Sequence, residues 1–248
     1  MKNLIILQAR TSSKRLPGKV LLPLNGRPMI EWQLKRISEA NIGPIVLATS
    51  SNKSDDKLAE LVTSLSFEVY RGSQDDVVDR FKNVVISKNP EYFVRLTGDC
   101  PLVMPEILSQ MNKMYMAKRP DYFSNTLKST FPDGLDIEFI STKAFLKMTR
   151  LELSKQEKEH VTLGIYQRPE KFDLINYESD QNLGNWRWTV DYPEDYAYVQ
   201  DIYSHFIGRE TKFTFEEVLK LVQTRSIKDN MISATFRNIA LRNKESEL

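Results

Sequence analysis

Runs of consecutive apolar residues alternate along the chain with stretches in which apolar residues recur every three or four positions. Residues 4–9 (LIILQA) read as a buried strand, and 30–40 (IEWQLKRISEA) as a helix with Ile30, Leu34 and Ile37 on its apolar face. The alternation continues with strand 45–49, helix 57–65, strand 67–70, helix 75–87, strand 92–96 and helix 105–118. Asp75 and Asp76 fall in the first turn of the 75–87 helix, where negative charge suits the helix dipole. Beyond this point the pattern is less regular. Residues 134–140 alternate like a strand, 142–153 and 155–166 have helical spacing, 186–190 read as a strand, and 194–206 and 215–224 as helices. The polar tail 240–248 predicts a frayed end.

Strands and helices alternating at this spacing predict a mostly parallel α/β sheet covered on both faces. In such sheets ligands sit beyond the carboxyl ends of the strands, near the switch in strand order. The loops that follow predicted strands therefore share one rim. A single domain over about 1–230 is expected, with an arm or sub-domain near 125–184 and a C-terminal helix and tail at 231–248.

Composition narrows the function classes. A chain of 248 residues, 41% hydrophobic and 27% charged, can bury one large core. Its net charge of +2, with no basic tail or stripe, gives no footing for a nucleic-acid partner. The one cysteine, Cys100, forms no disulfide within the chain and points to a reducing compartment. No apolar run approaches the about 20 residues that cross a bilayer, and the run 4–9 is too short for a signal-peptide core. These observations predict a cytoplasmic protein without a membrane partner.

The chemistry begins directly behind the first strand, where Arg10, Lys14, Arg15 and Lys19 stand among Thr11, Ser12, Ser13 and Pro17-Gly18. A solvated loop accounts for two such cations; four ask for an anion. Arginine gives forked contacts to phosphate, lysine a point charge, and backbone N–H groups around Ser12–Lys14 can add a nest. The G-x-x-x-x-G-K-[ST] spacing of a Walker loop is absent. In Thr97-Gly98-Asp99-Cys100-Pro101, Asp99 follows a predicted strand; it suits either a Mg²⁺ bridging phosphates or the cap of the next helix. Asp191, in Val190-Asp191-Tyr192-Pro193-Glu194-Asp195, has the same setting. Asp195 falls in the first turn of the next helix and reads as dipole compensation. Cys100 is expected to fill a small apolar gap, Trp186 and Trp188 to lie in the core, and His205 to be structural.

Four segments together resemble a known family: Ala9-Arg10-x-x-Ser13-x-Arg15-Leu16-Pro17-Gly18-Lys19, Asn25-Gly26-Arg27-Pro28-Met29-Ile30, Gly98-Asp99-x-Pro101 and Val190-Asp191-x-Pro193-Glu194-Asp195. They are similar to the sugar-acid cytidylyltransferases, the CMP-Kdo and CMP-sialic acid synthetases. Asp133-Gly134-Leu135-Asp136-x-Glu138 and Glu159-His160-Val161-Thr162 resemble motifs of the branch called spore coat polysaccharide biosynthesis protein F. The resemblance implies a Rossmann-like sheet of the nucleotide-diphospho-sugar transferase (glycosyltransferase-A) type with a dimerising arm. It implies a homodimer that uses CTP and Mg²⁺ to convert a sugar acid into its CMP-sugar.

By motif match, Ala9, Arg10, Ser13, Arg15, Lys19, Thr97, Gly98 and Asp99 would line the nucleotide site, with Arg71, Gly72 and Ser73 near ribose and base. Arg10, Lys19, Asp99 and Asp191 would be catalytic, the two aspartates as metal ligands. Asp133, Asp136, Glu138, Glu159 and His160 are the candidates for the sugar acid. A wet helix face over 155–159 and a structural His160 remain alternatives. Two departures from the Kdo enzymes, Cys100 after Gly98-Asp99 and Val20 after Gly18-Lys19, bear on the sugar more than on the reaction. Alternative readings are a nucleotide-sugar-dependent glycosyltransferase, a cytidylyltransferase for a phosphorylated or phosphonate acceptor, and a non-catalytic nucleotide sensor.

Overall fold

The computed structural model describes residues 2–224; the expected tail and C-terminal helix at 231–248 lie outside the described residues. Strand β1 (Asn3–Gln8) has four consecutive buried residues, as a central strand covered on both sides requires. After it come the short hairpin β2 (Pro23–Leu24) and β3 (Arg27–Pro28), helix α1 (Met29–Glu39), β4 (Ile45–Ser50), α2 (Asp56–Ser64), β5 (Glu68–Gly72), α3 (Val77–Lys88), β6 (Tyr92–Thr97) and α4 (Pro105–Lys118). Then follow β7 (Tyr122–Ser124), β8 (Glu138–Ser141), α5 (Thr142–Met148), α6 (Lys155–Glu159), α7 (Leu163–Tyr166), β9 (Leu174–Asn176), α8 (Pro193–Ser204) and α9 (Phe215–Thr224).

Seven strands form one sheet in the order β5-β4-β1-β6-β8-β7-β9. The pairs β5–β4, β4–β1, β1–β6 and β7–β9 are parallel, while β8 runs antiparallel to β6 and β7. Alternate residues feed two cores. Ile5, Leu7, Leu47, Val94 and Leu96 pack under residues of α1, α4 and α8, while Leu4, Ile6, Val46, Ala48 and Phe93 pack under α3 and α5. Each fully buried side chain of this size contributes about 1.5–3 kcal/mol. Strand order reverses at β1, with β4 and β5 on one side and β6 on the other, so the rim above β1 and β6 is where a ligand belongs.

The second half departs from its pattern in several places. The stretch 186–190 is extended but is no sheet strand: it makes a single bridge, Asp133 with Arg187. Asp133 N donates to Trp186 O (2.8 Å) and Trp188 N to Asp133 O (2.6 Å). Gly134, at φ +106°, then turns the other chain away, and a Cβ there would lie 2.5 Å from the Trp188–Thr189 backbone. For the same reason only residues 138–140 of the expected strand 134–140 join the sheet, as part of β8 (Glu138–Ser141). The expected helix 142–153 stops at Met148, and 155–166 splits into α6 and α7 at Val161, whose φ of +42° a helix cannot contain. Strands β7 and β9 went unpredicted, and the stretch 125–184 supplies β8, β9 and α5 to α7 to the common sheet and its cover.

Candidate active site

The cationic loop is fastened before it can bind anything. Buried Asp55, just before α2, accepts from Thr11 N and Thr11 Oγ1 (2.7 Å each), from Ser50 N (3.3 Å) and from the Ser50 hydroxyl. Gly18 N closes the loop onto Thr11 O (2.9 Å), and Gly18 at φ +70° sends the chain into the single 3-10 turn Lys19–Leu21. The ends of β1 and β6 touch at Gly98, whose N donates to Gln8 O (2.7 Å). A Cβ on Gly98 would meet the Ala9 methyl at 2.5 Å, so Ala9 and Gly98 together set how closely the two loops approach.

At that seam Lys19, 7% exposed, points inward. Its Nζ donates to Asp99 Oδ2 (3.0 Å), Asp191 Oδ1 (2.8 Å) and Val190 O (2.8 Å), which uses all three donors. Asp191 reaches the seam because Val190 N donates to Asp99 O (2.8 Å). Its other oxygen, Oδ2, accepts from Arg187 (3.0 Å) and pairs with Arg15 (2.7 Å), which also stacks 4.8 Å from the Tyr192 ring. Burial alone would lower the Lys19 pKa; Asp99 and Asp191 outweigh it and raise it. Burial likewise opposes the charge of both aspartates, but Lys19 holds Asp99 well below the usual carboxylate range and Asp191 below its ordinary value.

Arg187 and Asp195 were not anticipated. Buried Arg187 donates from Nε to Asp195 Oδ1 (2.9 Å), from Nη1 to Asp133 Oδ2 (3.0 Å), and from Nη2 to Asp191 Oδ2 and Asp195 Oδ2 (3.0 Å each). Asp195, read as dipole compensation, is instead buried beneath the site and accepts from Asp191 N (2.9 Å) and Tyr192 N (3.0 Å). It therefore fixes the turn that presents Asp191. An arginine in the apolar segment Trp186–Trp188 was the available signal, since a buried charge needs a partner.

Asp133 is thus tied to the same cluster. Burial, then the charges of Asp99, Asp136 and Asp133, push the Cys100 thiol well above its ordinary value. Cys100 is buried against Thr97 Oγ1 (3.2 Å) and Asp99 Oδ1 (3.4 Å), a gap-filler rather than a nucleophile. Arg71, at the end of β5, donates to Ser50 O (3.0 Å) and Asn52 O (2.8 Å) and pairs with Asp56 (2.7 Å), pinning the loop between β4 and α2. Ser73 O accepts from Arg80 Nη1 (3.0 Å), and Ser73 Oγ from Asp76 N (3.0 Å). Arg80 is buried with its Nε unpartnered among the described residues; burial and nearby Arg10 pull its pKa down to about 10. Half-buried Arg10 makes no ion pair among the described residues.

The remaining acceptor candidates lie elsewhere. Glu138 is enclosed: it pairs with Arg95 and accepts from Tyr122 OH (2.6 Å) and Thr162 Oγ1 (2.5 Å). This buried network forms because β8 turns Glu138 toward Arg95 of β6. Glu159 and His160 stand half-buried at the end of α6, on the turn that Thr162 ties to Glu138. His205 caps α8, with its Nδ1 2.7 Å from Asp201 O.

Two carboxylates that converge on one cation form a seat of hard oxygen donors, and its chemistry fits Mg²⁺. No cluster of three or more His, Cys, Asp or Glu side chains suited to a metal occurs among the described residues. A divalent ion here would therefore draw on Asp99, Asp191 and the oxygens of a phosphate substrate. Among the same residues no helix is long and apolar enough to cross a membrane.

The chain is also similar to known proteins. Residues 4–236 match a family described as cytidylyltransferase. The Bacillus subtilis spore coat polysaccharide biosynthesis protein SpsF is 33% identical over 227 residues, 88% of this chain and 93% of that protein. A 3-deoxy-manno-octulosonate cytidylyltransferase from Psychrobacter is 32% identical over 129 residues, 50% of this chain and 45% of that protein. The structure of a cytidylyltransferase from Leptospira borgpetersenii superposes with a TM-score of 0.86 at 29% identity, covering 90% of this chain and 94% of that one. The chain, a nucleotidyltransferase, belongs to the cytidylyltransferase family.

Proposed function

We propose that the protein activates a sugar acid, of the nonulosonic or Kdo-like 2-keto-3-deoxy kind, as its CMP-sugar for surface polysaccharide or glycan synthesis. The observation that carries this reading is the convergence of Lys19, Asp99 and Asp191 beneath a loop bearing Arg10 and Arg15. CTP lies along that loop, with Arg10, Ser13, Arg15 and Lys19 around its triphosphate and the Arg71–Ser73 backbone near ribose and base. The anomeric hydroxyl of the acid attacks the α-phosphorus; an O–P bond forms as the bond to pyrophosphate breaks. Asp99 and Asp191 would hold a Mg²⁺ ion, which would supply positive charge against the α-phosphate and the leaving pyrophosphate.

The chain's own residues supply positioning. Arg187 holds Asp191 and Asp133 in fixed relation, so the acceptor, facing Asp133 and Asp136, stands in register with the nucleotide. With Lys19 drawn toward the triphosphate, Asp99 would assist removal of the hydroxyl proton. Glu138, through Thr162, steadies the turn that carries Glu159 and His160. A homodimer and a cytoplasmic setting complete the proposal.

The test is pyrophosphate release with Mg²⁺, crossing the four nucleoside triphosphates with Kdo, sialic, legionaminic and pseudaminic acids. Release with CTP and one acid is the expected result. Release from CTP with a sugar phosphate instead, or none with CTP bound, would remove the sugar-acid assignment.

A further inference from the structure

We infer that Lys19 is a resident cation holding the seat of the divalent ion, which the metal and the nucleotide phosphates displace together. The inference rests on the cytidylyltransferase reading only for what displaces Lys19. The ammonium lies 3.0 Å from Asp99 Oδ2 and 2.8 Å from Asp191 Oδ1, between the two carboxylates that would ligate a metal. It also spends its third donor on Val190 O at 2.8 Å, so it is held there in full rather than brushing past.

Two positive charges cannot share that space. A hard divalent ion seeks the same two oxygens at about 2.0–2.1 Å, inside the present position of the nitrogen. Entry of the ion therefore requires the ammonium to leave, and a buried ammonium leaves only for another anion. The loop offers that destination. Lys19 starts the turn behind Gly18, with its backbone fastened by Leu22 N to Lys19 O (3.1 Å), while its four-carbon stem can swing toward the triphosphate that Arg10 and Arg15 would hold. Asp191 keeps its aim, because Arg187 grips Oδ2 while Lys19 uses Oδ1. Metal and nucleotide thus favour each other without touching any hinge: each removes what opposes the other.

The prediction runs against the usual effect of removing an active-site lysine. Mn²⁺ binding to nucleotide-free protein is read by electron paramagnetic resonance for the unaltered chain, Lys19→Met and Lys19→Arg. Lys19→Met should bind Mn²⁺ at least about tenfold more tightly than the unaltered chain, as expected when a competing cation is deleted. Lys19→Arg, which keeps the charge, should stay weak. Equal or weaker binding in Lys19→Met, or tight binding in Lys19→Arg, overturns the inference. Should Lys19→Met prove too unstable for the titration, Mn²⁺ should raise its Tm well above the rise seen for the unaltered chain; equal rises overturn the inference as well. None of these readouts needs turnover, so failure to release pyrophosphate would sink the proposed reaction and leave this result standing.

Discussion

Two ionic clusters, one within the sheet and one at its rim, are built from similar parts. Within the sheet Glu138 sits among Arg95, Tyr122 and Thr162; at the rim Asp99 and Asp191 sit around Lys19. The difference lies in what completes each carboxylate. Glu138 is closed off by two neutral hydroxyls and one guanidinium, with its side chain 7% exposed. Asp99 is 29% exposed and Asp191 18%, and both share one flexible ammonium. Neutral partners fixed by the backbone make a joint, whereas a mobile counter-ion makes a seat whose occupant can be exchanged.

Substitutions can break that contrast. The largest effect is expected at the rim: Asp99→Asn should lower the rate of pyrophosphate release by roughly 10³-fold while the urea midpoint moves little. Comparable turnover in the variant would show that the rim is no catalytic seat. Glu138→Gln should do the reverse, costing about 3 kcal/mol in urea unfolding because Arg95 is left buried without its counter-charge. Its folded fraction should keep far more activity than Asp99→Asn; a variant as stable as the parent would dissolve the distinction. Arg187→Lys sharpens it further, since it keeps a charge but loses the fork that joins Asp133, Asp191 and Asp195. A fall of about 10–100-fold in kcat, with the KM for CTP nearly unchanged, is the signature of lost orientation. A change confined to Tm would reduce Arg187 to scaffolding.

The same contrast explains what was legible in the sequence. Asp99 could be read because it lies just past β6, and Lys19 because it belongs to the cationic loop that follows β1; strand ends are placed by periodicity alone. Asp191 was read from a similar premise that was only partly right: the segment before it is extended but pairs with Asp133 and Asp99 rather than the sheet. Arg187 and Asp195 were missed because their roles come from partners brought together only by that pairing. Glu138 was assigned to the acceptor from its motif, yet its neighbours Arg95, Tyr122 and Thr162 lie 43, 16 and 24 positions away along the chain. Strands β7 and β9, three residues each, are too short to show a period. The break at Val161 is a tertiary imposition, since a buried valine in the left-handed region has no local cause.

The contact between Gly98 and Ala9 bears on how this site can be altered. With 2.5 Å between the Ala9 methyl and a Cβ that Gly98 lacks, the seam is already at the smallest pair of side chains that leaves a methyl on one side. A larger residue at either position has no compensating reduction available at Gly98, and only one, alanine to glycine, at Ala9. Under the proposed function, variation in nucleotide or acceptor choice would therefore enter from the outer walls, the 71–76 loop and the Asp133–Asp136 turn, while the seam stays constant. On that reading those walls are the adjustable part, and the junction of β1 and β6 is the fixed reference from which every change is measured.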